Sequence, residues 1–244
     1  MRRTLVAIAV LVLLAASSPA KAASPTLAWK QRQWRITTGG MAGVADGDPA
    51  NVTVDKKGYL HIRIVKRNTT TTAAELFTQD HLGFGTYQWQ LDGPVDRMDP
   101  STVLGLFPYG PIDGIGTDGE NEIDIEFSQW NGCDCNADFN IYPATGQRKV
   151  GPTGKDFTVN LKGKRLTTAR FTWTSTNISE VIMRGLQPLG VTKNVLASWT
   201  FAPPNPSVRI PQVALPVGMN LWCFQQCPAT DQEVIVRDFQ FAAA

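Results

Sequence analysis

Period-two alternation most limits what this chain can become. Beyond residue 22 helical periodicity is nearly absent, and short runs such as YLHIRIVK (59–66), FGTYQWQL (84–91), VLGLFPY (103–109) and EIDIEFSQW (122–130) follow one another. DFNIYP (138–143), ARFTWTS (169–175), VIMRG (181–185), MNLWCF (219–224) and EVIVRDFQF (233–241) continue the series. Val, Ile, Thr and aromatic residues fill these runs and Gly, Pro, Asp and Asn bound them, which is the signature of strands and turns. Many strands at this spacing predict an all-β fold, a β-sandwich or jelly roll. No stretch has the composition of an interdomain linker and no internal repeat occurs, so residues 23–244 are expected to form one domain. PPNPSVRIP (203–211) is expected to be stiff surface loop.

The first residues carry a different signal. Arg2 and Arg3 precede an apolar run, and Ala20-Lys21-Ala22 offers a small-residue cleavage site. This is the anatomy of a secretory signal peptide over residues 1–22, and the apolar run is too short for an ordinary spanning helix, a retained anchor being the alternative. The expected location is therefore extracellular or periplasmic, with no membrane association after cleavage. Removal of Arg2, Arg3 and Lys21 from the 23 basic residues leaves 20 against 21 acidic ones. A near-neutral chain without a basic stripe is a poor partner for nucleic acid or an anionic membrane. In an exported protein Cys133, Cys135, Cys223 and Cys227 point first to disulfides. Neither pair has C-x-x-C spacing, which speaks against zinc. Bridges between the two pairs are expected over one within Cys133–Cys135, where so short a loop demands a tight turn; sequence does not determine the connectivity.

Several strands divide their faces alike. Phe107 and Tyr109 alternate with the apolar Leu106, Asn140 and Tyr142 alternate with Phe139 and Ile141, and Asn220 and Trp222 alternate with Met219 and Leu221. Side chains at i and i+2 share a face, so one side closes a core and the other presents rings and hydrogen-bonding groups. In chemical terms such a surface suits sugars, whose C–H faces pack on aromatic rings while amides and carboxylates hold their hydroxyls.

The stretch NEIDIEF (121–127) sets the sharpest constraint on function. Glu122, Asp124 and Glu126 must emerge on one strand face while Ile123, Ile125 and Phe127 face the other. Three like charges in register are costly, and ordinary exposed strands favour mixed charge. A calcium site is a second possibility, although the loop pattern of a calcium hand is missing. Glycoside hydrolysis needs two carboxylates about a scissile bond, and crowding separates their pKa values. His61 and His81 have no nucleophile motif near them.

Glu122-Ile-Asp-Ile-Glu126-Phe resembles the E-[IL]-D-x-E motif of the family 16 glycoside hydrolases. GFGTYQWQL (83–91), LGLFPYG (104–110), DFNIYP (138–143), FTWTSTNISEVIMRG (171–185), MNLWCF (219–224) and EVIVRDFQF (233–241) resemble further strands of that family, in its order. The resemblance spans most of residues 36–241. It implies a concanavalin A-like jelly roll of two antiparallel sheets with a concave substrate groove, acting on β-linked polysaccharide with retention. It further implies Glu122 as nucleophile, Glu126 as general acid and then base, and Asp124 as their orienting neighbour. Phe107, Tyr109, Asn140, Tyr142, Asn220 and Trp222 would contact sugar, with Gln88 as a further contact and Trp130 as a stacking platform at the rim.

The uninterrupted spacing of the acids is the form associated with lichenase-like mixed-linkage glucanases and xyloglucan transglycosylases. It favours β-1,3-1,4-glucan, with β-1,3-glucan next. The chain departs from the pattern at Gln88, where the family usually has Glu, at Met183-Arg184-Gly185, and at Thr167 in place of a His. A transglycosylase with the same nucleophile and a non-catalytic lectin-like module are the competing functions. No cofactor or metal is expected beyond a structural Ca2+ for which no clear ligand set exists, and the protein is expected to be a monomer.

Overall fold

The structure, a computed structural model, describes residues 24–130 and 133–244. The expected signal peptide lies outside the described residues. Six strands come first in the chain: β1 (Thr26–Trp29), β2 (Arg32–Ile36), β3 (Asp46–Gly47), β4 (Val52–Val54), β5 (Leu60–Arg67) and β6 (Thr70–Leu82). β7 (Gly85–Asp92), β8 (Thr102–Pro108), β9 (Ile123–Phe127), β10 (Ala137–Ile141) and β11 (Thr153–Phe157) follow. β12 (Leu166–Trp173), β13 (Ile178–Arg184), β14 (Val195–Phe201), β15 (Leu215–Cys223) and β16 (Gln232–Ala243) complete the set.

One layer runs β11-β10-β9-β8-β15-β6-β2-β1 and the other β5-β16-β7-β12-β13-β14, with β4 on the outer edge of β5. The β5–β6 hairpin passes from one layer to the other, so a single ladder curves round on itself. Pairing is antiparallel except for the short β3–β6 contact. This is the expected all-β jelly roll. The path stays open, ending on β11 in one layer and β14 in the other.

Alternation decides what lies between the layers. Ile123, Ile125 and Phe127 of β9 are fully buried, as are Trp34, Trp89, Phe139, Phe171 and Trp173 from four other strands. Tyr87 stacks on Phe171 at 4.5 Å and Trp89 meets Phe239 at 5.2 Å. Each such side chain contributes about 1.5–3 kcal/mol by leaving water. A slip of β9 by one residue would drive its acids into this layer, which holds the register.

Two expectations need correction. The disulfides close within each pair, Cys133–Cys135 and Cys223–Cys227, and not between them. The chain bends at Asp134 and across 224–226, with Gln225 left-handed at φ 56°, and this brings the Cα atoms to 5.1 and 4.8 Å, inside the span a disulfide bridges. PPNPSVRIP is not wholly loop either, because Pro206–Arg209 forms one helical turn opened by its proline. β1–β4, β6, β11 and β14 are also missing from the sequence-derived runs.

Candidate active site

The acidic strand is aimed by the residue before it. Asn121 adopts a left-handed conformation, φ 55°, which Asn tolerates better than most residues. Its amide nitrogen donates to Ile115 O and Thr145 Oγ1, at 3.0 and 2.8 Å. Its backbone N–H bonds Pro143 O while its carbonyl accepts from Gly110. The turn is thus tied on three sides, and Glu122 leaves it paired with Tyr109 across the sheet.

Register then carries the acids across the layer. Glu126 lies opposite Asp138 on β10 and Gly105 on β8; Gly105 lies opposite Asn220 on β15, which in turn faces Glu75 on β6. One row therefore reads Asp138, Glu126, Gly105, Asn220, Glu75 over five strands. Asp124 is opposite Asn140. Gly105 has a purpose in this row. A Cβ there would stand 2.5 Å from Asn220 Oδ1, which instead accepts the Gly105 N–H at 3.0 Å. Gly218 likewise makes room for the Phe77 and Phe107 rings, which a Cβ would meet at 2.6 and 2.8 Å.

The result is a cavity of about 700 Å³ in which Glu122, Asp124 and Glu126 share the floor. Phe107, Tyr109, Trp130, Asn140, Tyr142, Asn220 and Trp222, the expected sugar contacts, all line it. Aromatic clusters flank the acids. Phe77, Phe107 and Tyr109 contact one another, and Trp130 packs on Trp222 at 6.0 Å and edge-on to Phe224 at 4.8 Å. Both disulfides begin within three residues of that Trp pair.

Gln88 is not in the cavity. It sits on β7 in the opposite layer, fully buried, donating to Gln187 O at 2.9 Å and accepting from Arg170 Nε at 2.7 Å. β7 pairs with β12 and β16, which places this face behind the core and corrects the expected sugar contact. Sequence reasoning also missed three groups. Glu75 and Asp118 line the cavity, and Asp138 lies under its floor beside Glu126. His61 pairs with Glu233 and His81 with Asp113, outside the cavity lining.

Burial dominates the electrostatics. It pushes the Glu122 carboxyl up to about 8, with a hydrogen bond from Asp124 opposing it and Asp118 and Glu75 adding to it. Burial, then the charges of Glu122, Glu126, Asp138 and Glu180, hold Asp124 far above the ordinary carboxylate range. Glu126 is raised likewise, by burial and then by Asp138 and Glu122. Glu75 is also raised by burial, against hydrogen bonds from Thr37 and Asn220. Because the Asp124–Glu122 bond favours ionised Glu122, Asp124 is the partner that keeps the proton. The site can therefore present one carboxylate and at least one carboxylic acid to the same ligand.

No family model and no curated protein sequence matches this chain, but solved structures match its fold. A Bacillus licheniformis β-glucanase superposes with a TM-score of 0.65 at 19% identity, over 93% of this chain and 100% of the other. A prokaryotic β-1,3-1,4-glucanase (lichenase) derived from a mouse hindgut metagenome gives 0.63 at 19%, over 89% and 96%. A Bacteroides ovatus mixed linkage glucan GH16 protein, solved with a G4G4G3G product, gives 0.62 at 12%, over 86% and 94%. Similarity of this kind establishes the shared jelly-roll fold.

Proposed function

We propose that the chain is a secreted, retaining, endo-acting glycoside hydrolase of family 16 that cleaves β-linked glucan. The observation that carries this is the joint placement of Glu122, Asp124 and Glu126 on the floor of one aromatic-walled cavity. Ionised Glu122, steadied by Asp124, attacks the anomeric carbon. Protonated Glu126 gives its proton to the leaving oxygen, then as a carboxylate activates the water that opens the covalent glycosyl-enzyme. The order of ionisation supports these roles, since Glu122 has the hydrogen bond favouring its charge and Glu126 has Asp138 and Glu122 opposing its own. The Cα atoms of Glu122 and Glu126 are ~13 Å apart at ~3.3 Å per residue, so two side chains leaning over the shorter Asp124 approach the ~5–5.5 Å that retention requires.

Mixed-linkage β-1,3-1,4-glucan is the favoured substrate, on the acid spacing and on the names of the similar structures. Secretion rests on residues 1–22 and on disulfides suited to an oxidising compartment. A single catalytic domain acting as a monomer completes the proposal. The test is a panel of mixed-linkage glucan, laminarin, xyloglucan and agarose with linkage and anomer analysis of first products by NMR. Glu122→Gln should lower kcat by ~10³-fold or more with sugar binding kept. Unchanged cleavage by that variant would end the proposal, and a wild-type protein that binds but never cleaves would make it a lectin-like module.

A further inference from the structure

Asp138 is the most deeply buried carboxyl around the floor, 1% exposed. It lies directly across from Glu126 in the β9–β10 ladder. Its Oδ1 accepts from Trp130 Nε1 at 2.7 Å and from Ser128 Oγ at 3.2 Å, and its Oδ2 accepts from Asn140 Nδ2. It therefore touches a wall ring and a floor amide while standing beside a carboxyl that must stay protonated. Nothing in the reaction assigned above gives it a task, and burying a carboxylate beside three others is costly unless it serves one.

We infer that Asp138 is a positioning residue that keeps Glu126 protonated and locks the Trp130 platform in place relative to it. The inference rests on the hydrolytic function proposed above and adds the group on which the general acid depends. Three donors fix Asp138 in its ionised form, and an ionised carboxylate opposite Glu126 makes loss of the Glu126 proton unfavourable. Those donors oppose burial, which with the Asp156 charge lifts Asp138 to about 6, so it ionises before Glu126 does.

The other groups around the pair push the same way. On its own strand Glu126 has Glu122 and Asp124; from β8 and β15 it meets Gly105 and Asn220, which are uncharged. Glu75 and Asp118 line the same cavity, Asp156 lies opposite Asp138 on β11, and Glu180 of the opposite layer adds to the negative field on Asp124. Lys, Arg and His are missing from the cavity lining among the described residues. Asp138 is the acid with a direct register contact to Glu126, so its charge has the largest single leverage.

The test compares wild-type protein with Asp138→Asn, which keeps an Oδ1 acceptor for Trp130 and removes the charge. The alkaline limb of kcat/KM, where the general acid loses its proton, should move to lower pH by about one unit, with KM at acidic pH nearly unchanged. Asp138→Leu, which also releases Trp130, should raise KM as well. Carboxyl ¹³C NMR, with the Glu126 signal assigned by its loss in Glu126→Gln, should show the same downward move in Asp138→Asn. In wild type that signal should also respond at the pH where Asp138 titrates, a readout that does not depend on the variant folding. A Glu126 titration that ignores both Asp138 and its substitution overturns the inference while leaving the hydrolase standing. Absence of glucan cleavage by wild type overturns the proposed function instead, and the NMR titration still decides the role of Asp138.

Discussion

Glu180 is the residue whose surroundings suit it least. On β13 it lies opposite Phe171 and Trp199, is 2% exposed, and neither carboxylate oxygen has a hydrogen-bond partner. Burial raises its pKa well above the ordinary value, with the Asp138 charge adding. An acid raised in this way is neutral in both states below about pH 4.5. As pH rises further the unfolded chain loses the proton and the folded one keeps it, so stability falls. Glu180→Leu should therefore stabilise the fold by about 1–3 kcal/mol at pH 8 and by less at pH 4, measured by urea unfolding. Equal effects at both pH values would contradict this account. Sequence alone gave Glu180 no special place, because FTWTSTNISEVIMRG reads as an ordinary hairpin. Only the layer above it turns its alternation into burial.

Among the elements absent from the sequence-derived runs, β6 matters most to the cavity. TTTAAELFTQDHL has no clean period of two, and its Ala-Ala-Glu-Leu centre suits a helix as well as a strand. It pairs with β15, β2, β3 and β5, and those partners override local preference. With β6 went Glu75 and Phe77, two of the cavity walls. The strands that were legible, β8, β9, β10 and β15, supply the rest of the floor, and their glycines are what let it lie flat. Gly105→Ala should destabilise by about 1–3 kcal/mol, since its Cβ would meet Asn220 Oδ1 at 2.5 Å and the Phe107 ring at 3.2 Å. It should also weaken glucan binding by moving both groups. Calorimetry and a binding titration on the same sample check the pair of effects, and a variant with wild-type stability would remove the glycine argument.

For the whole molecule, the floor is a store of unfavourable charge that the core must hold. Glu122 is raised to about 8, and Asp124, Glu126 and Glu75 are raised too. As for Glu180, each costs nothing at low pH and progressively more above its unfolded value, 3.8 for Asp124 and 4.5 for the three Glu. Thermal stability should thus decline from about pH 5 to pH 8. Glu122→Gln should flatten that decline and stabilise the protein at pH 8 by up to about 4 kcal/mol, the rise from 4.5 to about 8 taken at 1.36 kcal/mol per unit of pKa difference. A Tm that rises across this window, or a variant less stable at pH 8, would contradict the electrostatic picture. A chain that gains stability by losing the proposed nucleophile would have a strained site, the ordinary trade between function and stability.

What the sequence determined by itself was everything that follows from alternation within a strand: the all-β class, the face on which 122, 124 and 126 emerge, and the rings and amides that share their cavity. Such relations are local, because a strand has a period of two wherever it lies. Which strand sits beside which is decided by closures between distant parts of the chain. That is why Asp138 beside Glu126, Glu75 at the far end of the row, Gln88 behind the core and the pairing of each cysteine with its near neighbour became visible only in the folded molecule.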